Sequence, residues 1–215
     1  GNGGWLPGGV NTTWAYGTPA KSVIIGAASG TKAYVTGGLG TGQYAANEQS
    51  FILGPCFDLS TLQNPWVSTK IWWSSEFSWD GTNIQYSTNF GSTWINVGAY
   101  GDPGWYNDNT LVGNPGGSPE GWTGGAFGNT SGSGGWVTAA HRLDGLANIP
   151  SVRFRITFAS DGSVHADGTA IDDFKIAEGP VANLGPDELI CGGDSLVLDA
   201  GPFATFLWTP GGQTT

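Results

Sequence analysis

Every apolar run in this chain is short and is closed off by glycine or proline. From Trp14 onward the runs are "KSVIIGA", "KAYVTGG", "QSFILGP", "WVSTKIWWSSEF", "TNIQYST", "STWINVGAY", "GWVTAAHRL", "SVRFRITFASD" and "TAIDDFKIA". Stretches of this length, rich in β-branched and aromatic residues and bounded by turn formers, read as strands. The clearest is "VRFRITF", where Val152, Phe154, Ile156 and Phe158 share one face and Arg153, Arg155 and Thr157 the other. That alternation marks a strand buried on one side. No stretch keeps helical spacing, and 38 glycines supply the tight turns that many short strands need. The fold expected is all-β: a two-sheet antiparallel sandwich, either a jelly roll or a Greek-key relative.

Residues 1–179 are expected to form this sandwich, interrupted by a segment at 101–135, "GDPGWYNDNTLVGNPGGSPEGWTGGAFGNTSGSGG". Loops longer than about 15 residues are uncommon in compact domains. This one carries Trp105, Tyr106 and Trp122, rings that a disordered tether has no use for. It is expected to be ordered, to lie outside the sandwich core and to be pinned to it by its aromatics. At "EGPVANLGPDE" the composition changes to a proline-punctuated linker, and residues 180–215 read as an incomplete second β module.

Charge narrows the partners. Seven Lys+Arg against 17 Asp+Glu give a net charge of −10, which repels a phosphate backbone and an anionic membrane surface. No apolar run approaches the roughly 20 residues of a membrane span, so neither nucleic-acid binding nor membrane insertion is expected. The acidity fits an extracellular surface or a protein that collects divalent cations. Without an initiating Met or a signal-peptide pattern, the chain reads as a monomeric, mature or excised fragment of a longer multidomain protein.

Several motifs together carry a family likeness. "GTKAYVTGGLGTGQY", "FILGPCFDLSTLQNPWVSTKIWW", "WDGTNIQYSTNFGSTWINVG" and the closing "RFRITFASDGS…GTAIDDFKI" follow one another in the order found in MAM-like jelly-roll domains of large secreted bacterial proteins. The resemblance covers roughly residues 14–178. Related modules accompany peptidases of the immune inhibitor A type and stand in long Bacteroidetes surface proteins associated with adhesion and gliding. The tail "LGPDELICGGDSLVLDAG…FLWTPGGQTT" is similar to the immunoglobulin-like repeats of those surface proteins. The paired cysteines of the eukaryotic domain are absent, so receptor-type dimerisation is not implied. Cys56 and Cys191 fall in different modules and are not expected to bond to each other; in similar repeats the second cysteine pairs later in its own module. The resemblance implies a non-catalytic, extracellular recognition or adhesion module, secreted or at the cell surface, whose partner is a glycan or a surface protein. The alternative is an accessory, carbohydrate-binding domain of a secreted hydrolase or peptidase.

"YSTNFGSTW" at 86–94 resembles the Asp-box, with Asn89 in place of the aspartate. A single copy makes no propeller. The motif is expected to be a structural hairpin, with Gly91 at positive φ and Trp94 packed beneath.

Candidate chemistry lies mainly in the acids. "SDGSVHADGTAIDD" places Asp161, Asp167, Asp172 and Asp173 among glycines, an irregular, oxygen-rich stretch of the kind calcium accepts. If Phe174 and Ile176 face the core, alternation puts Asp172 on that face and Asp173 outward. An inward carboxylate needs donors or a cation; backbone amides, Arg153 and Arg155 compete with calcium for that role, while the family likeness favours a calcium at this aspartate. Glu76 and Asp80 form a second acidic corner that Asp161 joins if the hairpins share an end of the sandwich. Were Glu76 and Asp80 about 5 to 9 Å apart, they would also suit glycoside hydrolysis. No zinc motif or nucleophile elbow is present, and His141 and His165 read as non-catalytic. Among the tryptophans, adjacent Trp72 and Trp73 must face opposite sides of one strand. Trp105, Tyr106 and Trp122, with Asn107 beside them, are candidates for stacking on a sugar face.

Overall fold

The computed structural model describes residues 2–179. The expected second module, 180–215, and Cys191 lie outside the described residues. Eleven strands are present: β1 (Leu6–Val10), β2 (Ala15–Gly17), β3 (Ala33–Val35), β4 (Gln49–Phe57), β5 (Pro65–Ser74), β6 (Gly81–Ser87), β7 (Ile95–Asn96), β8 (Trp122–Thr123), β9 (Val137–Arg142), β10 (Val152–Ala159) and β11 (Gly168–Glu178). They build two sheets. One has six strands in the order β1-β4-β10-β6-β7, with β8 also on β6; the other has five, in the order β2-β3-β11-β5-β9. All strand pairings are antiparallel. The chain crosses between sheets from β4 to β5, back from β5 to β6, and again from β10 to β11, as a jelly roll requires. Among the described residues, no helix is long and apolar enough to cross a membrane.

The alternation of β10 positions the core. Val152, Phe154, Ile156 and Phe158 are buried between the sheets against Ile71, Val67 and Ile171 of the facing one. On the other side of β10, Arg155 Nε donates to Gln85 Oε1 at 2.8 Å, and its guanidinium lies 4.4 Å from the Trp94 ring centroid. Burial pushes this guanidinium down to about 10. Trp73 enters the main core while Trp72 packs with Trp136, Ile24 and Val35 in a smaller cluster, so the two neighbours do face opposite ways.

Two local expectations fail for identifiable reasons. "KSVIIGA" forms no strand: the Val23 and Ile24 amides donate to Asp167 Oδ2 at 2.6 and 2.8 Å, and Lys21 N bonds Ile24 O in a turn. A carboxylate has captured the donors that a ladder would have used. In β11 the register slips between Asp172, paired with Lys70, and Lys175, paired with Ser68. Asp173 there adopts φ 48°, a bulge of one extra residue. The bulge resets the alternation, so Phe174 packs on the core without bringing Asp172 to that face. Neither Arg153 nor Arg155 pairs with it; instead Ser29 N donates to Asp172 Oδ2 at 3.0 Å and Asp173 N to Oδ1 at 2.9 Å.

The long segment departs most from its expected place. It is ordered, but it completes the sandwich rather than lying outside it. Its β8 pairs with β6 through Gly81↔Thr123 and Thr82↔Trp122. Tyr106 Oη accepts from Ile84 N at 3.0 Å and donates to Ile84 O at 3.1 Å. These contacts satisfy the edge of β6, which β7 covers for only two residues.

Candidate cation site and the aromatic segment

The acidic corner begins where β5 ends. Past Ser74 the chain makes a tight turn, with Trp79 N and Asp80 N donating to Glu76 O at 3.3 and 3.0 Å. The turn brings one carboxylate oxygen of Glu76 within 4.8 Å of one of Asp80. Ser78 at its tip has φ 61°. The exit of β10 brings a third acid, with Asp161 N donating to Asp80 Oδ1 at 2.8 Å. One carboxylate oxygen each from Glu76, Asp80 and Asp161 lies within 4.8 Å of the others.

Asp80 is fully buried and has two donors: Asp161 N, and the Tyr44 hydroxyl at 2.6 Å from Oδ2. Burial is the main force raising its carboxyl to about 7, with the neighbouring Asp161 and Glu76 charges adding to the rise and the two hydrogen bonds opposing it. Burial and the charge of Asp161 also raise Glu76, against a smaller opposite pull from His165. Glu76 Oε2 is shielded from solvent and has no hydrogen-bond partner, and the same holds for His165 Nε2. Among the described residues no Lys or Arg pairs with any of the three acids.

Glu48 supplies the contrast. It too is a fully buried carboxylate, but it accepts from Thr13 N (2.9 Å), Thr13 Oγ1 (2.7 Å), Ala45 N (3.1 Å) and Ser50 Oγ (2.6 Å). Four donors satisfy it; two reach Asp80 and none reaches Glu76 Oε2. The Glu76–Asp80–Asp161 oxygens are hard, convergent and under-supplied with donors, the condition a calcium ion relieves. Tyr44, whose hydroxyl holds Asp80, is the neighbour of the site that strand patterning did not flag, since it stands in no acidic motif.

Of the expected metal ligands, Asp161, Glu76 and Asp80 come together and Asp167 and Asp172 do not. Asp167 accepts from the Val23 and Ile24 amides and Asp172 from the Ser29 amide, and neither belongs to the converging group. Trp105, Tyr106 and Trp122 are corrected as well: all three are buried in the main core. Trp122 stacks on Trp73 at 6.2 Å and meets Trp105 and Tyr106 edge-on at 4.8 Å each. Asn107 is engaged at both ends, donating to Thr123 O and Ser131 O and accepting from Thr123 N. None of the four presents a face to a sugar. The exposed aromatics near the acidic corner are Phe77 (41%) and Trp79 (44%), on the tip of the turn that carries Glu76 and Asp80.

The remaining motifs are structural. In "YSTNFGSTW", Ser87 Oγ accepts from Asn89 N and Gly91 N, Asn89 Oδ1 accepts from Thr93 N, and Gly91 has φ 93°. Both ring nitrogens of His141 face acceptors, Asp102 Oδ2 at 2.9 Å and the Arg142 carbonyl at 2.6 Å, so neither is turned to a nucleophile.

No protein-family profile and no curated protein match the sequence. Solved structures with a similar fold include a cleaved adhesin domain of Lys-gingipain from Porphyromonas gingivalis (12% identity, 81% of this chain and 90% of that chain, TM-score 0.45). A second cleaved adhesin domain of Lys-gingipain aligns at 14% identity over 80% of this chain and 87% of its own, with TM-score 0.41. A structure of carbohydrate-binding modules from the β-sandwich superfamily aligns at 12% identity over 82% of this chain and 58% of its own, with TM-score 0.44.

Proposed function

We propose that residues 2–179 form a non-catalytic recognition module of a secreted or surface-attached bacterial protein, with a calcium ion at Glu76, Asp80 and Asp161. The observation that carries this is the three-carboxylate corner: a fully buried Asp80 beside two further acids, an orphaned Glu76 oxygen and, among the described residues, no Lys or Arg paired with any of them. An acid–nucleophile pair fits it less well. Both Asp80 oxygens already accept hydrogen bonds, one from Asp161 N and one from the Tyr44 hydroxyl, and the carboxylate is fully buried.

Bound calcium would clamp the 75–80 turn to the loop after β10, with Tyr44 as a strut from a third loop. That clamp would fix Phe77 and Trp79 as a rigid aromatic tip, the surface offered to an extracellular glycan or surface protein. The test is binding of the protein to a glycan array and to whole bacterial and host cells, with Phe77→Ala/Trp79→Ala as the control. Retention that the double variant loses while keeping its melting temperature supports the assignment. Retention unaffected by the double variant refutes the tip as the contact surface.

A further inference from the structure

At another place in the sandwich the β11 bulge has a consequence of its own. A cavity of about 170 Å³ opens beside it, lined by Trp5, Tyr16, Tyr34 and Phe174, with Asp172, Asp173 and Asn2 supplying polar groups. The sequence produces this directly: the extra residue at Asp173 (φ 48°) turns Phe174 inward against Trp5, 4.8 Å between centroids and edge-on, and leaves two consecutive carboxylates on the lining. Tyr16 and Tyr34 form the other aromatic wall, 4.9 Å apart.

The polar groups are unbalanced. The Tyr34 hydroxyl and Asn2 Nδ2 both donate to Trp5 O, at 2.8 and 3.1 Å, so these two donors are engaged. The carboxylates only accept. Asp172 takes the Ser29 and Asp173 amides and Asp173 takes Ser29 Oγ, and among the described residues neither forms an ion pair. A ligand suited to this cavity brings its own donors and positive charge and has a side that can lie on ring faces. An ammonium on an aliphatic stem meets all of these, with three donors and no acceptor, and is attracted to aromatic faces. Tyr16 already has an ammonium for a neighbour outside the lining: Lys32 Nζ stands 5.9 Å from its ring centroid. The net charge of −10 favours approach of a basic partner.

We propose that this cavity receives a lysine side chain of a partner polypeptide, its ammonium between Asp172 and Asp173 and its stem against Trp5, Tyr16, Tyr34 and Phe174. The site goes beyond the cation corner and does not depend on calcium there.

The experiment is a titration of the 215-residue protein with a capped Gly-Lys-Gly peptide, followed by the Trp5 indole and Asp173 amide NMR signals, in calcium and in EDTA. Parallel arms use the Nε-acetyl-lysine and norleucine versions of the peptide. The lysine peptide should shift both signals saturably in either buffer, more weakly at high salt, and the two uncharged versions should not. Asp173→Asn keeps the positive-φ geometry that asparagine tolerates, and Tyr16→Leu keeps an apolar wall without its π face. Each should weaken binding about fivefold, the equivalent of one lost charge or ring contact, with the rest of the spectrum unchanged. Equal binding of the acetylated or norleucine peptide overturns the proposal, as does the absence of shifts at Trp5 and Asp173 with millimolar lysine peptide.

Discussion

Replacing Trp122 by alanine is the sharpest test of where the long segment belongs. The ring is 1% exposed and packs on Trp73, Trp105 and Tyr106, while its Nε1 donates to the Trp105 carbonyl at 3.1 Å. A buried tryptophan removes about 200 Å² from water, worth about 5 kcal/mol at 25 cal/mol per Å². A compact unfolded state reduces that to about 3–4 kcal/mol, and stranding the Trp105 carbonyl adds about 1 kcal/mol. The expected loss is therefore about 4–5 kcal/mol, within the range for large-to-small core changes. For a domain of this size that is a fall in Tm of roughly 10–20 °C. Urea unfolding followed by far-UV circular dichroism measures it, with Trp79→Ala as the comparison. Trp79 is 44% exposed and its loss should cost under about 1 kcal/mol. If Trp122→Ala unfolds within about 1 kcal/mol of the parent, the ring is not a core residue and the placement of the whole segment is wrong.

Three further outcomes follow from the buried groups. Asp80 has its folded pKa raised to about 7 from an ordinary 3.8, so the folded chain holds a proton that the unfolded chain releases. In EDTA its contribution to stability is complete below about pH 4 and is lost as pH rises toward 7; pH-dependent melts should show this decline, and Asp80→Asn should flatten it. Glu48→Ala should cost about 3 kcal/mol or more in urea unfolding, because it strands Thr13, Ala45 and Ser50 donors in the interior; a change under about 1 kcal/mol would mean those donors find other partners. Cys56 is an exposed free thiol and should react with a thiol reagent in the native protein without reductant, including in a Cys191→Ser variant; an unreactive native Cys56 would contradict it.

The sandwich was legible because strand patterning is local. The faces of β10 follow from seven residues, and the opposite orientations of Trp72 and Trp73 from their adjacency alone. Events that depend on a distant residue were not legible. The "KSVIIGA" run has strand composition, and only Asp167, more than 140 residues away, makes it a turn by taking its amides. Alternation gave Asp172 the wrong face because a single αL residue, Asp173, inserts into β11. The acids of the cation corner were identifiable by type. Which of them converge depends on the pairing of β10 with β6, which sets Ala159 against Gly81 and brings Asp161 N to Asp80, a register that spacing does not encode. The 101–135 rings were misplaced for a related reason: a glycine-rich stretch looks like an excursion, yet β7 covers the edge of β6 for only two residues and β8 continues it.

Calcium at Glu76, Asp80 and Asp161 would bind the folded chain alone and so raise its stability. Isothermal titration of the EDTA-stripped, dialysed protein with calcium, paired with thermal melts, tests it most directly. One ion should bind per chain, and the Tm should rise by roughly 5–10 °C when calcium stands a hundredfold above its Kd. Magnesium should give a smaller rise, because it demands a tighter octahedral cage, and Glu76→Gln or Asp161→Asn should remove both the heat and the shift. No binding heat and identical melts in calcium and EDTA would contradict it.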